Sequence, residues 1–117
     1  MNNKSQNYKG GNNIMLMVTT DSVANKNIIE VKGVVTSSIV QSRNIGKDLL
    51  SGLKSIVGGE LRSYTEMLED SKAEVKTRLI QQAEQVGANA IVGLRLELSA
   101  GQGTSELIGY GTAVVIE

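Results

Sequence analysis

Two stretches of this chain are apolar at nearly every position a strand would present: "AIVGL" (90–94) and "TAVVI" (112–116). Strands turn successive side chains to opposite faces, so segments of this kind need cover on both sides. One cover is legible in the sequence. Between 60 and 86, Leu61, Tyr64, Leu68, Val75, Leu79, Ala83 and Val86 fall on one stripe at helical spacing, and Gly87 marks the end. Glu74 precedes Arg78 by four residues, the order that favours a helix surface pair. A second cover of comparable size is missing, and a neighbouring copy of the chain is the economical way to supply it.

The remaining elements fit around that pairing. Residues 14–19, "IMLMVT", read as a short buried strand, and Asp21-Ser22 with Asn25-Lys26-Asn27 as the turn after it. In "IIEVKGVVTSSIVQS" (28–42), Ile29, Val31 and Val35 alternate against Glu30, Lys32 and Thr36, with Gly33 as a bulge. Ser42 or Asn44 can cap a shorter helix carrying Ile45, Leu49, Leu53 and Ile56. Strands at 89–98 and 107–117 close the chain, with "SAGQGTSE" as a flexible loop between them. The first should put Val92, Leu94, Leu96 and Leu98 on one face. In the second, Ile108, Tyr110, Thr112, Val114 and Ile116 share a face, and Gly109, Gly111 and Ala113 share the other. Small residues in alternation invite close approach, either by the chain's own helix or by a neighbouring subunit.

Composition sharpens the need for assembly. The 117 residues include no Phe, no Trp and no Pro, so the core must be built from Val, Ile, Leu, Ala and Met. Without large aromatics, a lone domain of this size has little surplus stability. Residues 1–13 are Asn-rich and lack apolar period, so the expectation is a flexible extension followed by a single domain over 14–117.

Lys plus Arg equals Asp plus Glu at 12 each, with no basic block. That balance argues against nucleic acid and against an anionic membrane surface as partners. No apolar run is long enough for a bilayer, and no signal region opens the chain, so the expected location is cytoplasmic.

Chemistry finds little support. "QSRNIGKD" misses a phosphate loop twice, with Gln41 at the first glycine position and Asp48 at the hydroxyl position. Gly58-Gly59 precede Glu60, whose charge suits a helix N-terminus and repels an anion there, so these glycines turn a corner. "GQGTSE" fails as a dinucleotide fingerprint at Glu106. His and Cys are absent, which removes the donors that select zinc, copper or cadmium. Met15, Met17 and Met67 suit core packing, and Glu66, Asp70 and Glu74, flanked by Lys72, Lys76 and Arg78, suit a solvated face. Lys47 and Tyr64 are the remaining catalytic candidates, and neither has a positioned base. The reading is a non-enzyme with no cofactor and no assigned metal ligand.

The blocks "MVTTDSV" (17–23), "SIVGGELRSYTEML" (55–68), "GANAIVGL" (87–94) and "GYGTAVVIE" (109–117), in this order, resemble the YbjQ-like proteins, a family labelled for heavy-metal binding. The resemblance covers about 16–117. It implies an α+β fold: a two-layer, dodecin-like β/α subunit with a mainly antiparallel sheet packed by one long and one shorter helix. It further implies assembly as a pentameric homo-oligomeric ring. Two functions follow as expectations: an uncharacterised oligomeric binding or scaffold module, or a ring binding a metal or small ligand between subunits.

Overall fold

The last two strands, β6 (Ala90–Gly101) and β7 (Thr104–Ile116), run as one antiparallel hairpin whose pairing reaches Gly101 opposite Thr104. Of the expected loop over 99–106, residues 99–101 belong to β6 and 104–106 to β7: Ser99 pairs with Glu106 and Ala100 with Ser105. A two-residue connection suffices because such turns match the twist of the strands they join. This computed structural model describes residues 7–10, 13–42, 56–57, 59–101 and 103–117. Around the hairpin lie β1 (Asn7–Gly10), β2 (Asn13–Met17) and β3 (Ile28–Ser42), giving one sheet in the order β1-β2-β6-β7-β3. Its pairings are antiparallel except for β2 beside β6, which is parallel. A separate two-residue pair, β4 (Ile56–Val57) with β5 (Glu60–Leu61), leads into the helix α1 (Arg62–Gln85).

Three expectations change here. Within the 1–13 extension, Asn7 to Gly10 form a strand paired with Leu16 to Asn13. Ile56, read as the end of a short helix, belongs to β4, and Ser42, one of that helix's two candidate caps, is the last residue of β3, paired with Thr104; Asn44 through Leu53 lie outside the described residues. Glu60 sits in β5 rather than in the first helical turn, which carries no acidic residue. Gly59, at φ +86, supplies the left-handed backbone between β4 and β5, so the corner is a strand-to-strand turn.

α1 buries Ser71, Val75, Leu79 and Ala83, spaced by four, together with Ile80. Its C-terminal end is a Schellman cap, with Ala88 N–H donating to Ala83 O (2.9 Å) and Gly87 N–H to Glu84 O (3.0 Å). Opposite the helix, the core takes Met15, Met17, Val35, Ile91, Leu94, Leu107 and Ala113 from four strands. Each fully buried aliphatic side chain contributes about 1.5–3 kcal/mol, so this layer supplies most of the hydrophobic stabilisation.

The helix comes close because β7 is small where it crosses. A Cβ built on Gly109 would overlap Val75 Cγ1 and lie 2.9 Å from Leu96 Cδ2 and 3.2 Å from Leu79 Cδ1. At Gly111 it would lie 2.7 Å from Ile91 Cγ2 and 3.2 Å from the Val92 carbonyl oxygen. The alternation of small residues thus serves the chain's own helix and its neighbouring strand.

Bulges set which side chains face which layer. Between Val92 and Arg95, β6 carries an extra residue against β7, and Gly93 takes φ +63 there. The alternation reverses across it. Val92 joins Ala90 and Val114 on the outer face, the one turned away from α1, while Leu94 and Leu96 face the helix. This corrects the assignment of Val92 to the same face as the leucines. In β3, register shifts between Ile28 and Glu30 and between Val31 and Gly33 do likewise. Val31 therefore pairs with Val114 and stays exposed, whereas Val35 pairs with Gly111 and is buried, although the simple alternation put both on one face.

Part of the outer face is covered by the chain itself. Leu16, Val18, Val23 and Ile116 pack on Ala90, Val92 and Val114. The segment is held by Asn27 N–H to Glu117 O (3.1 Å) and Glu117 N–H to Asn27 O (3.0 Å). Among the described residues, that cover stops toward the other end of the sheet.

The close seat of α1 makes Gly109→Ala a direct test. The added methyl meets Val75 and Leu96, and overpacking of this kind typically costs about 1–3 kcal/mol. Thermal denaturation followed by circular dichroism should show the midpoint falling by several degrees, whereas an unchanged midpoint would mean that the helix does not pack on Gly109.

Candidate functional site

The residues singled out for chemistry are scattered. Met15 and Met17 are core side chains, 1% and 5% exposed, and Met67 is half-buried on α1. Glu66, Asp70 and Glu74 are exposed, and Glu74 accepts from Arg78 Nε at 3.1 Å. Glu69 pairs with Lys72 (2.6 Å) on the same surface. Tyr64 is half-buried at the start of α1; Lys47 and Asp48 lie outside the described residues. Among the described residues, no three His, Cys, Asp or Glu side chains gather where they could hold a metal ion. No described helix is long and apolar enough to cross a membrane.

Two polar groupings were not foreseen. Asn89, between α1 and β6, fastens the end of β7: its Nδ2 donates to Ile116 O (2.9 Å) and its Oδ1 accepts from Ile116 N–H (2.7 Å). Its backbone N–H also donates to Val114 O (3.0 Å). An amide offers a donor and an acceptor side by side, so it stands in for a strand residue. Nothing in the flanking sequence separates this use of Asn from an ordinary turn.

The second grouping lies on the outer face. Arg95 and Tyr110 are paired across β6 and β7, and the Tyr110 hydroxyl donates to Glu97 Oε1 at 3.1 Å. Arg95 Nη1 donates to the carbonyls of Thr19 (2.9 Å) and Leu94 (2.8 Å), tying the 18–20 segment to β6. The hydrogen bond to Glu97, then that carboxylate's charge and partial desolvation, raise the Tyr110 phenol above its ordinary 10.0, and Arg95 opposes them. A phenol held protonated in this way is a poor nucleophile and a poor base. Cross-strand tethering is what the arrangement can do.

These features define a class: a two-layer α+β fold, one long helix on a mostly antiparallel sheet, with no metal-holding cluster of His, Cys, Asp or Glu among its described residues. The family model described as "Putative heavy-metal-binding" matches residues 15–117, and the chain belongs to that family, YbjQ. A UPF0145 protein of Bacillus licheniformis is 78% identical over 102 residues, covering 87% of this chain and 99% of its own length. One of Vibrio parahaemolyticus is 52% identical over 101 residues, covering 86% and 96%. A crystal structure of a protein of unknown function from Pediococcus pentosaceus shares the fold, with TM-score 0.59 at 20% identity over 88% of this chain and 98% of that one.

The Tyr110 pair has a readable pH signature. Because the folded-state pKa is raised, the pair's contribution to stability is complete below pH 10.0 and is lost as pH rises through the folded value. Phenolate absorbance, taken as the difference from Tyr110→Phe, should titrate above pH 10.0 and move back toward it in Glu97→Ala. A midpoint that does not respond to Glu97→Ala would remove Glu97 as the cause.

Proposed function

We propose that this protein is a structural subunit, a small non-enzymatic binding or scaffold module that works in the cytoplasm as an assembly of its own copies. The resemblance to dodecin-like subunits favours a pentameric ring as the form of that assembly. One observation carries the reading: large aliphatic side chains are left uncovered in the sheet, among them Val31 (65% exposed), Val34 (76%) and Val40 (61%). Scattered exposed aliphatics are ordinary, but a row along one strand marks an interaction surface. The chain is also extended for its length. Its Cα radius of gyration is 16.8 Å, where a compact domain of this size has about 13 Å. Long strands that outrun their helix leave apolar surface for a neighbour.

A second reading, a ring binding a metal or small ligand between subunits, draws on the name of the matching family. With His and Cys absent, such a site would be made of oxygen donors and would suit a hard cation.

Native mass spectrometry and a full metal scan of one purified sample separate these readings. The expected result is a multiple of the 12.5 kDa chain with no stoichiometric zinc, copper or cadmium. A single-chain mass at micromolar concentration would overturn the assembly. One tightly held metal per chain would establish the second reading instead.

A further inference from the structure

We infer that the outer edge of β2 is a strand-accepting site for an extended peptide with apolar residues at alternate positions, and that this chain fills it with its own β1. Leu16 N–H donates to Asn89 O and Val18 N–H to Ile91 O, so these groups are turned toward β6. Successive peptide groups of a strand point to opposite sides, so those of Met15 and Met17 turn outward. β1 takes up that side in antiparallel register, with Tyr8 opposite Met15 and Gly10 opposite Asn13. Backbone groups along such an edge are what an added strand pairs with.

β1 lies outside what the family shares. It precedes the matched residues 15–117, and the Bacillus licheniformis relative, covered over 99% of its length by 102 residues, has no room for a counterpart. The edge of the shared domain is therefore β2, and β1 is a tethered occupant of it. The opposite edge of the sheet, β3, is closed in another way. Thr36 N–H donates to Gln82 Oε1 (3.1 Å), and Gln82 Nε2 donates to Thr36 O (2.7 Å). Arg78 Nη1 donates to Ser38 O (3.1 Å). Side chains laid over an edge in this way block the addition of another strand. Among the described residues, strand addition to this sheet is left to the β2 side.

The occupant matches the backbone of this edge and not its side chains. Met15 and Met17 are buried on the helix side, so Ile14 and Leu16 alternate to the outer face. There Leu16 packs on the Ala90, Val92 and Val114 cluster, while Ile14 stays 62% exposed with β1 in place. In register, Ile14 stands opposite Lys9 and Leu16 opposite Asn7. Apolar cross-strand pairs stabilise a sheet, and neither Lys nor Asn forms one with an aliphatic partner. An extended segment of another protein with Val or Ile at those two positions gains both pairs and covers Ile14. A strand of four residues makes few main-chain bonds, so β1 keeps its seat through its tether, which holds it at a high local concentration. A better-matched peptide displaces it.

The test uses two synthetic peptides: SQNYKGG, which is residues 5–11, and SQVYVGG, with valine at both mismatched positions. Their host is the full chain carrying Tyr8→Pro, which removes the N–H opposite Met15 and unseats β1 without shortening the chain. Amide hydrogen exchange followed by nuclear magnetic resonance should show Met15 exchanging about tenfold or more faster than in the parent. Val18, bonded to Ile91, should keep the parent's rate. Added SQVYVGG should slow Met15 again and shift the Ile14 to Met17 resonances, with a dissociation constant of about 1 mM. SQNYKGG should bind about fivefold more weakly. Equal affinity of the two peptides would overturn the apolar preference, and no shift by either at about 5 mM would overturn the strand-accepting edge. An unchanged Met15 rate in Tyr8→Pro would overturn β1 as the occupant. If Tyr8→Pro does not fold, the full chain with Asn7→Val and Lys9→Val decides. Met15 exchange about fivefold slower than in the parent then supports the inference, and an unchanged rate overturns it.

Discussion

Everything in this fold depends on how closely α1 can lie on β7. An aliphatic core without large aromatics gains stability only by tight contact, since dispersion falls away over fractions of an ångström. Gly109 provides that contact by removing the side chain that would hold Val75, Leu79 and Leu96 apart. Glycine costs a strand backbone entropy and side-chain packing, of the order of 1 kcal/mol. Here the loss is offset by the buried methyl groups of Val75 and Leu79, both fully inaccessible.

The inequality of the two layers follows. On one side of the sheet, a 24-residue helix covers the middle of β6 and β7 and reaches over the edge of β3 with Arg78 and Gln82. On the other, among the described residues, the 18–27 segment covers the end of the sheet near Ala90 and Val114. The bulges in β3 and at Gly93 sharpen the division. They turn Val92 outward into the small second cluster, and they leave Val31 outward and exposed. The sheet is thus packed fully on one face and, among the described residues, partly on the other.

The parts that were legible in sequence are those governed by one local signal. The helical stripe placed a helix at 60–86, and α1 runs from Arg62 to Gln85, because four-residue spacing and a terminal glycine both point to it. The shared face of Val114 and Ile116 followed from simple alternation, which β7 keeps throughout. Errors arose where one residue is inserted. A register slip moves every later side chain to the other face, so a single bulge at Gly93 was enough to misplace Val92 relative to Leu94. The glycine in "AIVGL" was the available signal, but it names no position in a partner strand. Residues 99–101 and 104–106 read as loop for a related reason: their glycines and polar residues look like one, while pairing across the hairpin makes them strand. Tyr110, Glu97 and Asn89 form ties across sequence distance, and spacing along the chain carries no trace of them.

The central claim is that the glycine stripe of β7 belongs to the chain's own helix. Isotope-filtered nuclear Overhauser spectroscopy tests this most directly, on particles refolded from an equal mixture of labelled and unlabelled chains. Contacts between the Val75 methyls and the Gly109 α-protons should be strong within a labelled chain and absent between labelled and unlabelled chains. A strong contact between differently labelled chains would place a neighbour's helix on the stripe and contradict the account.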